Sequence, residues 1–303
     1  MPGHSRVLIK RDDLSGFGRG GVKTRKIEHL IGHMQRHGHR GFVTVLANIT
    51  NLGHDIVPAL AKFGIEASVL VVDEPRLAPE LRKAAFAGIG PEVRLLGPSR
   101  VLAAVRMVRA ARELSKRHAR PLIVLPGLMH PAGVVGNACG FLEMASQFRD
   151  TRRELPHSVY ITVSSGTTLA GFLIAEQALR REGGTPIRIV GVQVYPGLAK
   201  GRILGLIRWT ERFLGLEGRV PAERVEIVAS ELCLGFGSYS PEHARMCSTL
   251  AADSGVTVDP IFGGKTWAVM ASRMPDEAGD RPVLYWHCGY TPDWPIVGQA
   301  ACK

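Results

Sequence analysis

Short apolar runs rich in β-branched residues recur along the chain, separated by stretches in which apolar positions return every three or four residues. The runs at 7–10 (VLIK), 42–47 (FVTVLA), 68–73 (SVLVVD), 93–96 (VRLL), 122–125 (LIVL), 158–163 (SVYITV), 187–194 (IRIVGVQV), 225–228 (VEIV) and 282–287 (PVLYWH) predict β-strands. Between them the pattern is helical. From Thr24 to His37, the residues Ile27, Leu30, Ile31 and Met34 fall at i, i+3, i+4 and i+7, the stripe of a helix with one buried face. LAGFLIAEQALRREGG reads as a helix stopped at Gly183 and Gly184. RMVRAARELSKRHAR reads as a solvated amphipathic helix, with Arg106, Arg109 and Lys116 near Val105, Val108 and Leu114. Strand–helix–strand alternation predicts an α/β fold with parallel sheets covered on both faces. The rhythm divides the chain in two. Residues 37–127 make a smaller alternating unit, and 1–36 with 128–303 make a larger one.

Composition narrows the classes. With 303 residues, 45% hydrophobic and 21% charged, the chain has the make-up of a globular protein with ample core. No apolar run approaches the roughly 20 residues of a membrane span, and the opening MPGHSRVLIKRDD carries no apolar leader, so a cytoplasmic protein without a membrane partner is expected. The net charge of +11 comes mostly from dispersed arginines. With no zinc-finger spacing and no aromatic-rich RNA-binding signature beside them, a nucleic-acid partner is not expected. Cys139, Cys233, Cys247, Cys288 and Cys302 form no C-x-x-C pair, which argues against a metal site or a disulfide framework.

The stretch GFGRGGVKT (16–24) admits three readings. A dinucleotide fingerprint needs a strand running straight into the first glycine and an acidic residue about 20 positions on. Here RDDLS intervenes, and the next acid after the following helix is Asp55. A P-loop needs glycine directly before lysine, and Val22 separates Gly21 from Lys23. What remains is a glycine turn that presents a lysine as a chemical group, in a chain with nine lysines against 29 arginines. The positive end of the helix that follows disfavours an ammonium there, and a neutral amine forms Schiff bases. A solvated lysine in a polar turn is the plain alternative.

A second stretch weighs on that choice. In VYITVSSGTTLAG a strand runs into Ser165-Gly166-Thr167-Thr168 and then a helix. Hydroxyls and free amides at a helix N-terminus cradle a phosphate, and without a P-loop lysine this turn suits a monophosphate. A Schiff-base lysine and a monophosphate cradle on an α/β scaffold describe pyridoxal 5′-phosphate (PLP).

At these residues the chain resembles a known family. IKRDDLSGFGRGGVKTRKIEHL is similar to the opening of the 1-aminocyclopropane-1-carboxylate deaminase / D-cysteine desulfhydrase family, whose pattern is roughly K-R-D-D/E-x-x-G-x-x-x-G-G-N-K-x-R-K-L-E. VTVLANITNLGH, SSGTTLAG, DPIFGGKT and LYWHCGYTP extend the likeness over most of the chain. The resemblance implies the two-domain fold of fold-type II PLP enzymes, similar to tryptophan synthase β. It also implies a homodimer and a PLP-dependent lyase or deaminase that acts on a small amino acid through a Schiff base on Lys23. In the same way it places Asn51, Ser165, Gly166, Thr167, Thr168, Gly171 and Cys288 at the cofactor, and Thr50, Asn51, Phe236 and Phe262 at the substrate.

The departures fall on chemical positions. Val22 replaces the asparagine before the lysine, Thr50 an active-site serine, and Phe262 a tyrosine. Phe236 stands at the place of a second tyrosine, and the carboxylate near the pyridine nitrogen is absent, with Gly263 and Cys288 there. Ring-opening deamination needs acid–base groups that these changes remove. Tyr285 and Tyr290 are candidates for a displaced phenol, Tyr290 being the open one and Tyr285 reading first as strand core. Three expectations follow: an elimination, a specialised biosynthetic elimination or replacement, or a PLP-fold binder without turnover.

Overall fold

Each of the nine apolar runs becomes a strand. The computed structural model describes residues 7–16, 20–47, 51–72, 93–96, 99–117, 120–194, 197, 199–216, 219–230, 239–274 and 281–289. The strands are β1 (Val7–Arg11), β2 (Gly41–Ala47), β3 (Glu66–Val72), β4 (Val93–Leu96), β5 (Pro121–Val124), β6 (Ser158–Val163), β7 (Arg188–Gln193), β8 (Glu226–Ala229) and β9 (Val283–His287). The helices are α1 (Val22–Arg36), α2 (Asn51–Lys62), α3 (Arg100–Lys116), α4 (Pro131–Asp150), α5 (Thr167–Arg181), α6 (Lys200–Leu214), α7 (Pro241–Ser254) and α8 (Gly263–Arg273). Every pairing among these strands is parallel, as expected where strands alternate with helices.

The strands make two sheets. The larger has the order β1-β9-β6-β7-β8 and the smaller β4-β3-β2-β5. Of the described residues, one compact unit takes those up to Gly16, Gly20–Val22 and those from Asn137 on. The other takes those from Lys23 to Gly136. The sequence rhythm set the smaller unit at 37–127, whereas here α1 past Val22 clusters with it. The reason is packing. Ile27, Leu30, Ile31 and Met34, all buried, join Phe42 and Leu46 of β2 and Ile56 and Leu60 of α2 in one core.

In the larger unit, one face of the sheet packs Tyr160, Val190, Val192 and Tyr285 against Leu250 of α7 and Met270 of α8. The other face buries Trp286, whose ring lies 4.4 Å from Phe172, itself 5.3 Å from Phe141. α3 is amphipathic as predicted, but its phase differs. Ala103, Ala110, Ala111 and Leu114 are buried while Val105 is 59% exposed and Val108 faces solvent. Alanines let the helix settle closely on Val43, Val45 and Leu70 of the smaller sheet, and the valines are left outside. Among the described residues no helix is long and apolar enough to cross a membrane.

Candidate active site

From β6 the larger sheet grows outward through β7 and β8 on one side and places β9 and β1 on the other. Strand order reverses between β6 and β9, and open α/β sheets bind ligands in the crevice at the C-terminal ends of such a pair. The sequence puts chemistry at both ends. β6 runs through Ser164 and Ser165 into α5, and β9 runs into Cys288 and Gly289.

At the β6 end, Gly166 sits in the left-handed region with φ 87° and forms the N-cap of α5, where no side chain caps the helix. The Ser165 hydroxyl lies 2.9 Å from that of Thr167, either one donating, and accepts from the Thr167 amide at 3.4 Å. Gly166, Thr167, Thr168 and Gly171 are buried. First-turn amides have no intrahelical acceptor, and the positive helix end favours an anion. This turn therefore offers neutral donors around a place for a phosphate.

A second turn is fastened at the same C-terminal end of the sheet, just past β9. The Gly21 amide donates to the Asp12 carbonyl (2.7 Å) and to the Ser15 hydroxyl (3.0 Å), which itself donates to the Asp12 carbonyl (2.6 Å). The Val22 amide donates to the Cys288 carbonyl at 3.0 Å. Gly21 has φ 87°, and a Cβ there would run into the Cys288 carbonyl oxygen and lie 2.5 Å from the Gly289 Cα. Only glycine fits. Lys23 is the next residue, half-buried and second in α1.

Beneath this turn, Arg11 donates to both carboxylate oxygens of Asp13, Nε at 2.9 Å and Nη2 at 2.7 Å. The hydrogen bond to Asp13 holds the guanidinium pKa above its usual value against the opposing effect of burial. His287, buried, has Nε2 2.8 Å from the Thr257 carbonyl oxygen. A carbonyl only accepts, so Nε2 carries the proton and Nδ1 is left facing Asp13 Oδ1 at 3.8 Å.

Two residues earlier on β9, Tyr285 is fully buried and its hydroxyl has no hydrogen-bond partner among the described residues. Burial pushes the phenol well above its usual pKa, and Cys288, Asp259, Cys247 and Asp13 push it further. Opposite stands Gly263, where a Cβ would lie 2.8 Å from the Tyr285 oxygen. Asp259 shapes that approach. Its carboxylate accepts from the amides of Ile261 (3.1 Å), Phe262 (2.7 Å) and Gly263 (3.1 Å), turning the chain into α8. Asp259 went unassigned in the sequence, although an aspartate before proline is a turn signal, its carboxylate accepting from amides a few residues on.

Of the residues singled out from sequence, Ser165, Gly166, Thr167, Thr168, Gly171 and Cys288 meet at the β6 and β9 ends of one sheet, and Phe262 precedes α8. Lys23 and Asn51 belong to the smaller unit, with Asn51 as the first residue of α2. Thr50, Phe236 and Tyr290 lie outside the described residues. Lys265, a further lysine of the DPIFGGKT stretch, is fully buried and donates to the Val194 carbonyl at 3.2 Å, a structural role.

Two parallel α/β sheets, an uncapped helix end suited to a phosphate and an unpartnered hydroxyl on the neighbouring strand fit the class of enzymes that hold PLP on this fold, and the residues present fit that cofactor. The chain belongs to the pyridoxal-phosphate dependent enzyme family, whose pattern matches residues 2–289. It is 29% identical to a putative 1-aminocyclopropane-1-carboxylate deaminase of Pyrococcus abyssi, covering 94% of this chain and 84% of that one. It is 31% identical to the nocardicin C-9′ epimerase of Nocardia uniformis subsp. tsuyamanensis, over 94% of this chain and 86% of the relative. A crystal structure of an ACC deaminase homologue superposes with a TM-score of 0.79 at 26% identity, covering 94% and 84% of the two chains. PLP is the cofactor, the fold is that of fold-type II PLP enzymes, and the chain is a PLP-dependent enzyme of the lyase or deaminase kind.

Proposed function

We propose that this enzyme eliminates ammonia or a β-substituent from a small amino acid, with Lys23 as the residue that carries the cofactor. One observation supports the reading most directly. The uncapped β6–α5 turn follows the C-terminal end of the strand next to β9, and the glycine turn whose amides are held by Asp12, Ser15 and Cys288 is fastened just past the end of β9 and leads covalently into Lys23. Bound PLP supplies an electrophilic carbonyl and an electron-withdrawing ring that stabilises negative charge on the substrate α-carbon.

The chain's own residues do the rest. In this reading Ser165, Gly166, Thr167, Thr168 and Gly171 hold the phosphate, with Asn51 orienting the ring from the start of α2. Thr50 contacts the substrate carboxylate, and Phe236, Phe262 and Tyr290 bound the substrate. The Lys23 amine, freed by the arriving substrate, takes the α-proton at Nζ. Phe262 has no proton to give, so ring opening of a cyclopropane is not the reaction proposed. The homodimer implied by the family resemblance belongs to the same proposal. Trp209, Phe213 and Leu216, exposed at the end of α6, offer a second copy an apolar stripe, and light scattering tests it.

The test is a screen of small D- and L-amino acids for release of ammonia and a keto acid. Turnover that Lys23→Ala abolishes is the expected result, and turnover that survives it rejects the reading. A second reading is inversion at the α-carbon, favoured by the 31% identity to an epimerase and by the missing phenol at 262. It predicts solvent deuterium at the α-carbon without ammonia.

A further inference from the structure

Among the described residues, β9 buries two side-chain donors that have no hydrogen-bond partner, Tyr285 Oη and Trp286 Nε1. The indole of Trp286 lies away from the β9–α8 approach, since Trp286 points to the opposite face of its strand, onto Phe172. Tyr285 is the one of these that stands beside the candidate site, three residues before Cys288 and against Gly263.

A buried hydroxyl without a partner costs the full loss of its hydration, so its retention calls for an acceptor that arrives later. PLP brings two kinds of acceptor besides its carbonyl side: the phosphate, for which the α5 N-terminus is built, and the ring nitrogen. The Cys288 thiol is the other donor close by, but its proton is directed at the Trp286 carbonyl, 3.4 Å away. Gly263 adds the second half of the case. A Cβ there would lie 2.6 Å from Val258 Cγ1 and 2.8 Å from the Tyr285 oxygen, so the phenol occupies space that a side chain at 263 would need. The position that holds a carboxylate in the family the chain resembles is thereby given over to the phenol.

We propose that the Tyr285 hydroxyl donates a hydrogen bond to the ring nitrogen of bound PLP, in place of a carboxylate from position 263. The inference rests on the PLP reading of the site. A phenol is a far weaker acid than a pyridinium, so it donates without giving up its proton and the ring nitrogen stays uncharged. A ring in that state withdraws electrons less strongly, which suits substrates whose β-substituent leaves readily, such as β-hydroxy, β-thio or O-substituted serine-like amino acids, better than substrates that require carbon–carbon cleavage.

The experiment compares binding of PLP and of its 1-deaza analogue, in which carbon replaces the ring nitrogen, to cofactor-free wild type and Tyr285→Phe. Wild type is expected to prefer PLP by about tenfold, the effect of one hydrogen bond, and Tyr285→Phe to bind both alike. Cofactor-free Tyr285→Phe should melt at or above the wild-type temperature, because the unpartnered hydroxyl is gone. A tenfold preference that persists in Tyr285→Phe, or a cofactor-free variant that melts several degrees lower, overturns the inference while leaving the cofactor reading intact. A wild type that binds neither compound overturns both.

Discussion

Gly21 shows how tightly single residues are specified around the candidate site. Its positive φ and the closeness of Cys288 and Gly289 leave no room for a Cβ. Gly21→Ala is expected to cost on the order of 3 kcal/mol, read as a lower urea midpoint, and to weaken PLP binding by displacing Lys23. His130 sets a different demand. It is buried, its Nδ1 accepts from the Ala132 amide at 3.1 Å, and its ring lies 4.9 Å from that of His33. Burial, with smaller contributions from His33 and His39, lowers its pKa to about 4. Unfolded histidine titrates near 6.5, so the unfolded chain binds the proton first as the pH drops. Stability is therefore full above about pH 6.5 and is lost progressively towards pH 4, by about 3 kcal/mol. His130→Asn keeps an acceptor for Ala132 but cannot titrate in this range, and its melting temperature should vary less between pH 7 and 4.5. Parallel curves would contradict the assignment. The glycines and hydroxyls at 165–168 were legible in sequence because a turn between strand and helix leaves a local signature. The unpartnered phenol of Tyr285 was not, because alternation shows that a strand residue is buried and says nothing about what stands across from its hydroxyl.

At the scale of elements, two contacts hold the helices that carry the candidate site. Gly136 of α4 meets the backbone of α1 at the Arg25 carbonyl so closely that any Cβ would collide with it, and Gly133 lies against the Lys26 side chain. Gly136→Ala must push these helices apart, and a loss of about 2 kcal/mol with weaker cofactor retention is expected in paired unfolding and binding titrations. Glu176, buried on α5, accepts from the Ile187 amide (3.2 Å) and pairs with Arg180 (3.2 Å) and Arg224 (2.6 Å). Glu176→Ala removes the carboxylate from Arg224 and Arg180 and leaves the Ile187 amide without its acceptor, and should cost about 3 kcal/mol by urea denaturation. Helix stripes such as Ile27–Met34 were readable because their period is internal to the element. The phase of α3 was not, because the choice between valines and alanines depends on how closely the sheet beneath allows the helix to approach.

At the scale of the molecule, both sheets are laid down in the same way. The first strand of each run, β2 or β6, is followed outward by two more, and a later strand returns to its other side. Strand positions and the parallel class could be read from nine apolar runs alone, and the family was legible in GFGRGGVKT and SSGTT. The division of α1 from the larger unit depends on which sheet its buried stripe meets, a long-range fact that no local pattern carries. The central claim is that one lysine, Lys23, carries PLP. Its most direct test is borohydride reduction of the protein loaded with PLP, followed by mass spectrometry of the peptides. A pyridoxyl group on Lys23 is the predicted result. A label on Lys26 or Lys265, or no label on a protein that has been given PLP, would contradict the account.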